Sequence, residues 1–351
     1  MKKIITPVIK FAIDKVKRNK FVQNLFESPF DLSKFPKKGS FDDSYGNKID
    51  LFDGLRTKIK PGWERMQSSG NTEISENFLK SKKEGGEIAI NKILPIITSL
   101  GKTIEDCSFL EIGCHSGGTS FAAADLGAAN VIGTEFSGYK VSSVENVDDK
   151  FENRLEEVND HLKQMRKKLA KLYKHSGRVS FLDDDICNSK LQPSSFDVVC
   201  SWEVLEHLHD PEAAFKSIYN LLKDDGISIH EYNPFYCLNG GHSLCTLDFL
   251  WGHTRLSDND FEKYIDQLRP DEKERALSFY RNGLNRMTLS QLDVYLKNAG
   301  LEIVSIIPFS KEQHLRMIDF EILTQTQKHY PSVTMQDLSS PRVFVIVRKN
   351  K

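Results

Sequence analysis

No run of apolar residues in this chain approaches the ~18 that cross a bilayer as a helix, so no membrane span is expected. Cysteine occurs six times, at 107, 114, 187, 200, 237 and 245, without a CxxC pair or a pattern that reads as a disulfide framework. Four of these lie in or beside apolar runs and read as small core residues, which makes a reducing cytoplasm the expected location. Excess charge of one sign is missing too. The formal net charge is −1 over 351 residues, so no global basic field points to a nucleic-acid partner. No internal repeat or low-complexity tract occurs. The apolar stretch from Ile4 is broken by Pro7 and Lys10 with no small-residue cleavage site after it, so no signal peptide is expected.

What remains is enough to build a core: 39% hydrophobic and 10% aromatic residues, far from a disordered composition. Residues 1–75 form an N-terminal extension without legible chemistry. Ile4, Ile5, Val8, Ile9, Ala12, Ile13 and Val16 fit one helical face, either docked on the protein or making peripheral contact with a membrane surface or partner. Prolines and glycines then punctuate the chain at short intervals, from Pro29 to Gly62. Phe26, Phe30, Phe35, Phe41, Phe52 and Trp63 are too many aromatics for a free tail, so this segment should wrap the domain that follows.

Residues 76–351 alternate helical and strand patterns. A helical pattern from Ile74 to Gly101 is interrupted by Gly85-Gly86. A strand at 108–112 runs into the turn Gly113-Cys114-His115-Ser116-Gly117-Gly118, then a short helix, then a strand at 130–135. From Phe151 to Leu172 apolar residues recur every three or four positions over three heptads. That stripe predicts a helix covering the sheet, with a homodimer seam through 151–173 as the alternative. Strands follow at 178–182, 196–200 and 227–232. Between the last two lies a helix opened by Asp210-Pro211 and closed at Gly226. Residues 235–287 break the alternation and read as a lid or substrate-binding insertion. A helix at 288–298, a strand at 301–308, a helical stretch near 311–329 and a strand at 342–347 complete the chain.

This α/β order predicts a parallel sheet with helices on both faces and a ligand at the convergent carboxyl ends of the strands. The glycine turn, Glu135, Asp185 and the Ser201-Trp202-Glu203 segment all fall there. A dinucleotide would need a G-x-G-x-x-G turn aimed at phosphates. Here Glu111 precedes the first glycine, and an inward acid suits a cationic ligand better.

On these residues the chain resembles the class I S-adenosylmethionine-dependent methyltransferases. Leu110 to Gly117 looks like their first motif, Glu135 like their ribose-binding acid, and Phe181 to Ile186 like the adenine segment. Phe196 to Pro211 is similar to a stretch common in small-molecule methyltransferases. The likeness covers roughly residues 85–232. It implies a Rossmann-like, seven-stranded, mostly parallel sheet with the last strand antiparallel, and S-adenosylmethionine as cofactor, released as S-adenosylhomocysteine. It places Glu111, Gly113, Cys114, His115, Gly117, Glu135, Asp185, Ile186, Ser201 and Trp202 at the cofactor. His115 stands where the family pattern has glycine. A positive φ there would strain it, and the ring either points away or meets a ligand.

The resemblance implies methyl transfer, most simply to a hydroxyl of a small molecule or glycan. Alternatives are N- or C-methylation, or a silent cofactor-binding scaffold. A hydroxyl nucleophile needs a proton acceptor, and the loop after residue 232 offers His242, His253 and Glu231 as candidate catalytic residues. His207 reads as structural or flanking the substrate. A divalent metal held by some of His230, Glu231, His242, Asp248 and His253 is an alternative but is not expected, since their spacing matches no zinc or calcium template.

Overall fold

The computed structural model describes residues 31–64, 73–142 and 151–349. The apolar face from Ile4 to Val16 lies outside them. The described residues form two sheets. A small hairpin pairs β1 (Lys37–Asp42) with β2 (Lys48–Phe52). The main sheet contains β3 (Ser108–Ile112), β4 (Asn130–Glu135), β5 (Val179–Asp183), β6 (Phe196–Trp202), β7 (Leu222–Tyr232), β8 (Leu301–Pro308) and β9 (Val343–Lys349). Its order is β5-β4-β3-β6-β7-β9-β8. Strands β3 to β7 pair in parallel, while β9 runs antiparallel to both β7 and β8. This is the seven-stranded, mostly parallel sheet with an antiparallel last strand that the family likeness implies. The strand order reverses between β3 and β6, which opens a crevice beyond their carboxyl ends.

Burial explains the strands. β3 and β6 are almost wholly buried, as central parallel strands covered on both faces must be. One core lies on one face, around Leu110, Val199, Phe215 and Leu292. The other face carries Ile93, Phe109, Phe121 and Val198. The heptad stripe forms the helix Phe151–Ala170, and its Leu162, Met165 and Leu169 are buried. A third core joins the hairpin and the helix Leu55–Ile59 to the insertion after β7, through Phe41, Leu51, Leu55, Phe235, Trp251 and Phe261.

Three expectations are corrected. Gly85-Gly86 does not interrupt a helix: Glu76–Ser99 runs unbroken through both glycines. A Cβ on Gly86 would sit 2.2 Å from the carbonyl carbon of Gly118, so this glycine permits close backbone approach to the glycine turn. The helix after Asp210-Pro211 ends at Leu221 rather than Gly226. Leu222 already pairs with Phe196, and β7 extends through Gly226 past a register shift. The stretch near 311–329 is two helices, Glu312–Met317 and Phe320–His329, with a third at Met335–Ser339. Ile318 and Ile322 belong to the core of the insertion.

Candidate active site

The turn after β3 is shaped by backbone that side chains resist. Gly113 and Gly117 have φ of 65° and 77°. A Cβ on Gly113 would meet the Val204 side chain at 2.4 Å, and one on Gly117 the Phe181 ring at 2.3 Å. Between them His115 also adopts a positive φ, 43°, a conformation uncommon for a residue with a side chain. The surroundings hold it there. Its N–H donates to Glu135 Oε2 at 2.6 Å, and its carbonyl accepts from Arg166 Nε at 2.9 Å. The Arg166 guanidinium lies 4.4 Å over the Phe181 ring.

A cavity opens at the carboxyl ends of β3 to β6. Its lining includes Gly113, His115, Glu135, Phe136, Tyr139, Asp184, Asp185, Ile186, Trp202, Glu203, His207 and His209. Among the described residues, the lining holds four carboxylates, Glu135, Asp184, Asp185 and Glu203, and no lysine or arginine. Such a wall repels phosphates and favours a cationic ligand. Two of its buried polar atoms, Asp184 Oδ2 and Trp202 Nε1, have no hydrogen-bond partner, so an acceptor and a donor remain to be satisfied there. This donor set, with the glycine cradle, fits S-adenosylmethionine.

Of the ten residues expected at the cofactor, six line the cavity: Gly113, His115, Glu135, Asp185, Ile186 and Trp202. Glu111, Cys114, Gly117 and Ser201 do not. Glu111 Oε2 accepts from the backbone N–H (2.8 Å) and hydroxyl (2.5 Å) of Ser120. It thus ties β3 to the first turn of the helix Gly118–Asp125. Burial pushes its carboxyl up to about 7, against the lowering by the Ser120 bonds. Asp185 caps the turn Ile186–Asn188 through the Cys187 N–H (3.0 Å), and its other oxygen lies 2.9 Å from His209 Nε2. Ser201 Oγ lies 2.7 Å from buried His230, inside the sheet.

The candidate catalytic residues separate. Glu231 is ion-paired with Lys92 and Arg342. The His253 ring is fully buried, with Nε2 2.7 Å from the carbonyl oxygen of Phe235. Neither lines the cavity, and their bonds explain why: each is engaged in holding its own neighbourhood. His242 stands just behind the cavity wall, its ring 5.0 Å from that of His207.

His207, read from the sequence as structural or flanking the substrate, lines this cavity. Its Nδ1 lies 2.6 Å from the Gly283 carbonyl and 2.7 Å from the Tyr139 hydroxyl, which itself donates to Gly283 at 2.9 Å. A carbonyl oxygen only accepts, so Nδ1 carries the proton and Nε2 the lone pair. Burial lowers His207 to about 4, with the Gly283 bond opposing, and holds His242 well below the ordinary histidine range. Both rings are neutral at pH 7. Buried Glu206 lies beside them; burial and then its neighbour Glu203 push its carboxyl well up, and burial raises Glu203 as well. Ligand atoms of Glu206, His207 and His242 lie within 4.8 Å of one another, as do those of Asp185, Cys187 and His209. Either group is close enough to hold a cation. Glu206 Oε2 and His242 Nε2 have no hydrogen-bond partner.

The family model described as "Methyltransferase domain" matches residues 64–306. Over 80 residues, 22% of this chain, the sequence is 32% identical to a ubiquinone biosynthesis O-methyltransferase of Neisseria meningitidis, covering 32% of that protein. The match thus spans about a third of that relative's length. Among solved structures, a putative S-adenosylmethionine-dependent methyltransferase from Listeria monocytogenes matches 76% of this chain and all of its own, at 15% identity and a TM-score of 0.44. An S-adenosylmethionine-dependent methyltransferase from Mesorhizobium loti matches 73% of this chain and 97% of its own, at 13% identity and a TM-score of 0.40.

Proposed function

The chain belongs to the methyltransferase-domain family, and from that premise we propose that it methylates a hydroxyl of a small-molecule acceptor, using S-adenosylmethionine. The cofactor, when bound, supplies an electrophilic methyl group on a sulfonium centre. Glu135, Asp184 and Asp185 would hold its nucleoside, and the turn Gly113–Gly117 would cradle it.

The observation that carries the hydroxyl reading is the fixed tautomer of His207. Its Nε2 accepts the proton of the acceptor hydroxyl: the O–H bond breaks and an N–H bond forms on the ring. A histidine lowered to about 4 is a weak base, which suffices here. As the oxygen gains its new bond to carbon it becomes cationic, and its proton far more acidic. The likeness of a short stretch to an O-methyltransferase supports the same acceptor class.

A second reading uses the same cluster. A divalent cation on Glu206, His207 and His242 would itself lower the pKa of a bound hydroxyl. A screen of phenols, alcohols, sugars and amines, read as S-adenosylhomocysteine release, tests the proposal. Turnover of hydroxyl acceptors supports it; turnover of amines alone overturns it.

A further inference from the structure

We infer that Arg56, in the segment before the methyltransferase core, is a positioning residue for the histidine side of the active site. Its guanidinium holds the turn that presents His242 behind His207. The inference rests on the reading of His207 and His242 as the acceptor side.

His242 opens a helix of only four residues, His242–Cys245, and has a φ of 52°. So short a helix cannot satisfy its own carbonyls, and the left-handed backbone needs outside support. Two buried guanidinium groups give it. Arg56 Nη2 donates to the Ser243 carbonyl at 2.6 Å. Arg269 donates to the carbonyls of Leu244 at 2.8 Å and Thr246 at 3.3 Å. Glu272 binds both: Arg56 reaches its two oxygens at 2.9 and 2.8 Å, and Arg269 Nε reaches it at 3.2 Å. The Thr246 hydroxyl donates to the His242 carbonyl, so the carbonyls of residues 242, 243, 244 and 246 all have named donors.

A buried Arg–Glu–Arg group is a poor source of stability, since apolar side chains of like volume do as well. What it supplies here is geometry, in the planar fork that Arg alone offers. Arg56 is fixed in turn. The Trp63 ring covers its guanidinium at 3.5 Å, and its helix neighbours Leu55 and Ile59 share a core with Leu244 and Cys245. Four residues on, the Lys60 ammonium is near enough to act electrostatically on Glu203, His207 and His242. The segment 55–63 therefore borders the site as well as packing on the insertion.

The test uses the full chain with labelled histidine rings, followed by NMR, beside calorimetry with S-adenosylhomocysteine. In Arg56→Met the ring signals of His242 and His207 should shift, those of His314 should stay, and affinity for S-adenosylhomocysteine should not change. Millimolar guanidinium chloride should restore the His242 signal, and sodium chloride of equal ionic strength should not. Trp63→Leu, which keeps the guanidinium but strips its cover, should shift His242 the same way by less. An unmoved His242 in either folded variant overturns the inference, as does a common shift of all buried histidines. Loss of S-adenosylhomocysteine binding in the unsubstituted protein would instead count against the cofactor reading.

Discussion

The Nδ1 atom of His207 lies 2.6 Å from the carbonyl oxygen of Gly283, which directly follows the helix Lys273–Asn282. A residue of the insertion therefore sets the tautomer of a histidine at the end of β6, and with it the availability of Nε2. Such remote control of a ring nitrogen is the usual way a histidine is prepared for proton transfer.

Replacing His207 with Ala should lower kcat for a hydroxyl acceptor by about 10²–10⁴, the usual contribution of a positioned base. S-adenosylhomocysteine affinity should be retained. His253→Ala should act differently. Its buried ring serves the core of the insertion, so the variant should melt at lower temperature while the folded fraction keeps its kcat. Steady-state rates beside thermal melts separate the two.

The pH profile of turnover should show no step at the ordinary histidine value near 6.5. His207 is lowered to about 4, so the neutral base persists to that point and activity should fall only as pH approaches it. Stability follows the same sign. His207, His253 and His314 are each lowered to about 4, chiefly by burial. The unfolded chain therefore binds protons first, and stability should drop as pH falls from about 6.5 to 4. Urea midpoints across that range check it.

Glu111 has the opposite sign. Its folded value of about 7 lies above the usual carboxylate range, so its contribution to stability is complete below about 4.5 and is lost as pH rises through 7. A cationic ligand favours the ionised form. Affinity for S-adenosylmethionine should therefore rise between pH 6 and 8, and Glu111→Gln should flatten that rise. Calorimetry at four pH values measures it.

Gly86→Ala should destabilise the fold by about 1–3 kcal/mol, the range for overpacking. Its Cβ would fall 2.2 Å from the backbone of Gly118. Because Gly118 opens the helix beside the cofactor turn, cofactor affinity should weaken along with the melting temperature.

A chelator should leave turnover intact if neutral His207 is the base. Loss of turnover on chelation, restored by a divalent ion, would transfer the role of Glu206, His207 and His242 to metal binding. Inductively coupled plasma analysis of the purified protein completes the comparison.

The sheet was legible because central strands such as Phe196–Trp202 are nearly continuous apolar runs, and the glycine turn because its left-handed backbone demands glycine at 113 and 117. Gly85-Gly86 misled because a glycine pair reads the same whether it breaks a helix or lets another backbone approach. The bonds around His207 and His242 were hidden for a different reason. The bond from His207 to Gly283 spans 76 residues and that from Arg56 to Ser243 spans 187, and no local pattern records either. Glu111 is buried, and its partner is Ser120 on the following helix, a contact that only the close packing of that helix creates.

The most direct test of the account is calorimetric titration of the full chain with S-adenosylmethionine, for the unsubstituted protein and for Glu135→Ala. The account predicts saturable one-to-one binding that Glu135→Ala weakens by at least tenfold, about 1.4 kcal/mol, with no competition from a dinucleotide. Absence of binding, or binding indifferent to Glu135, would contradict it.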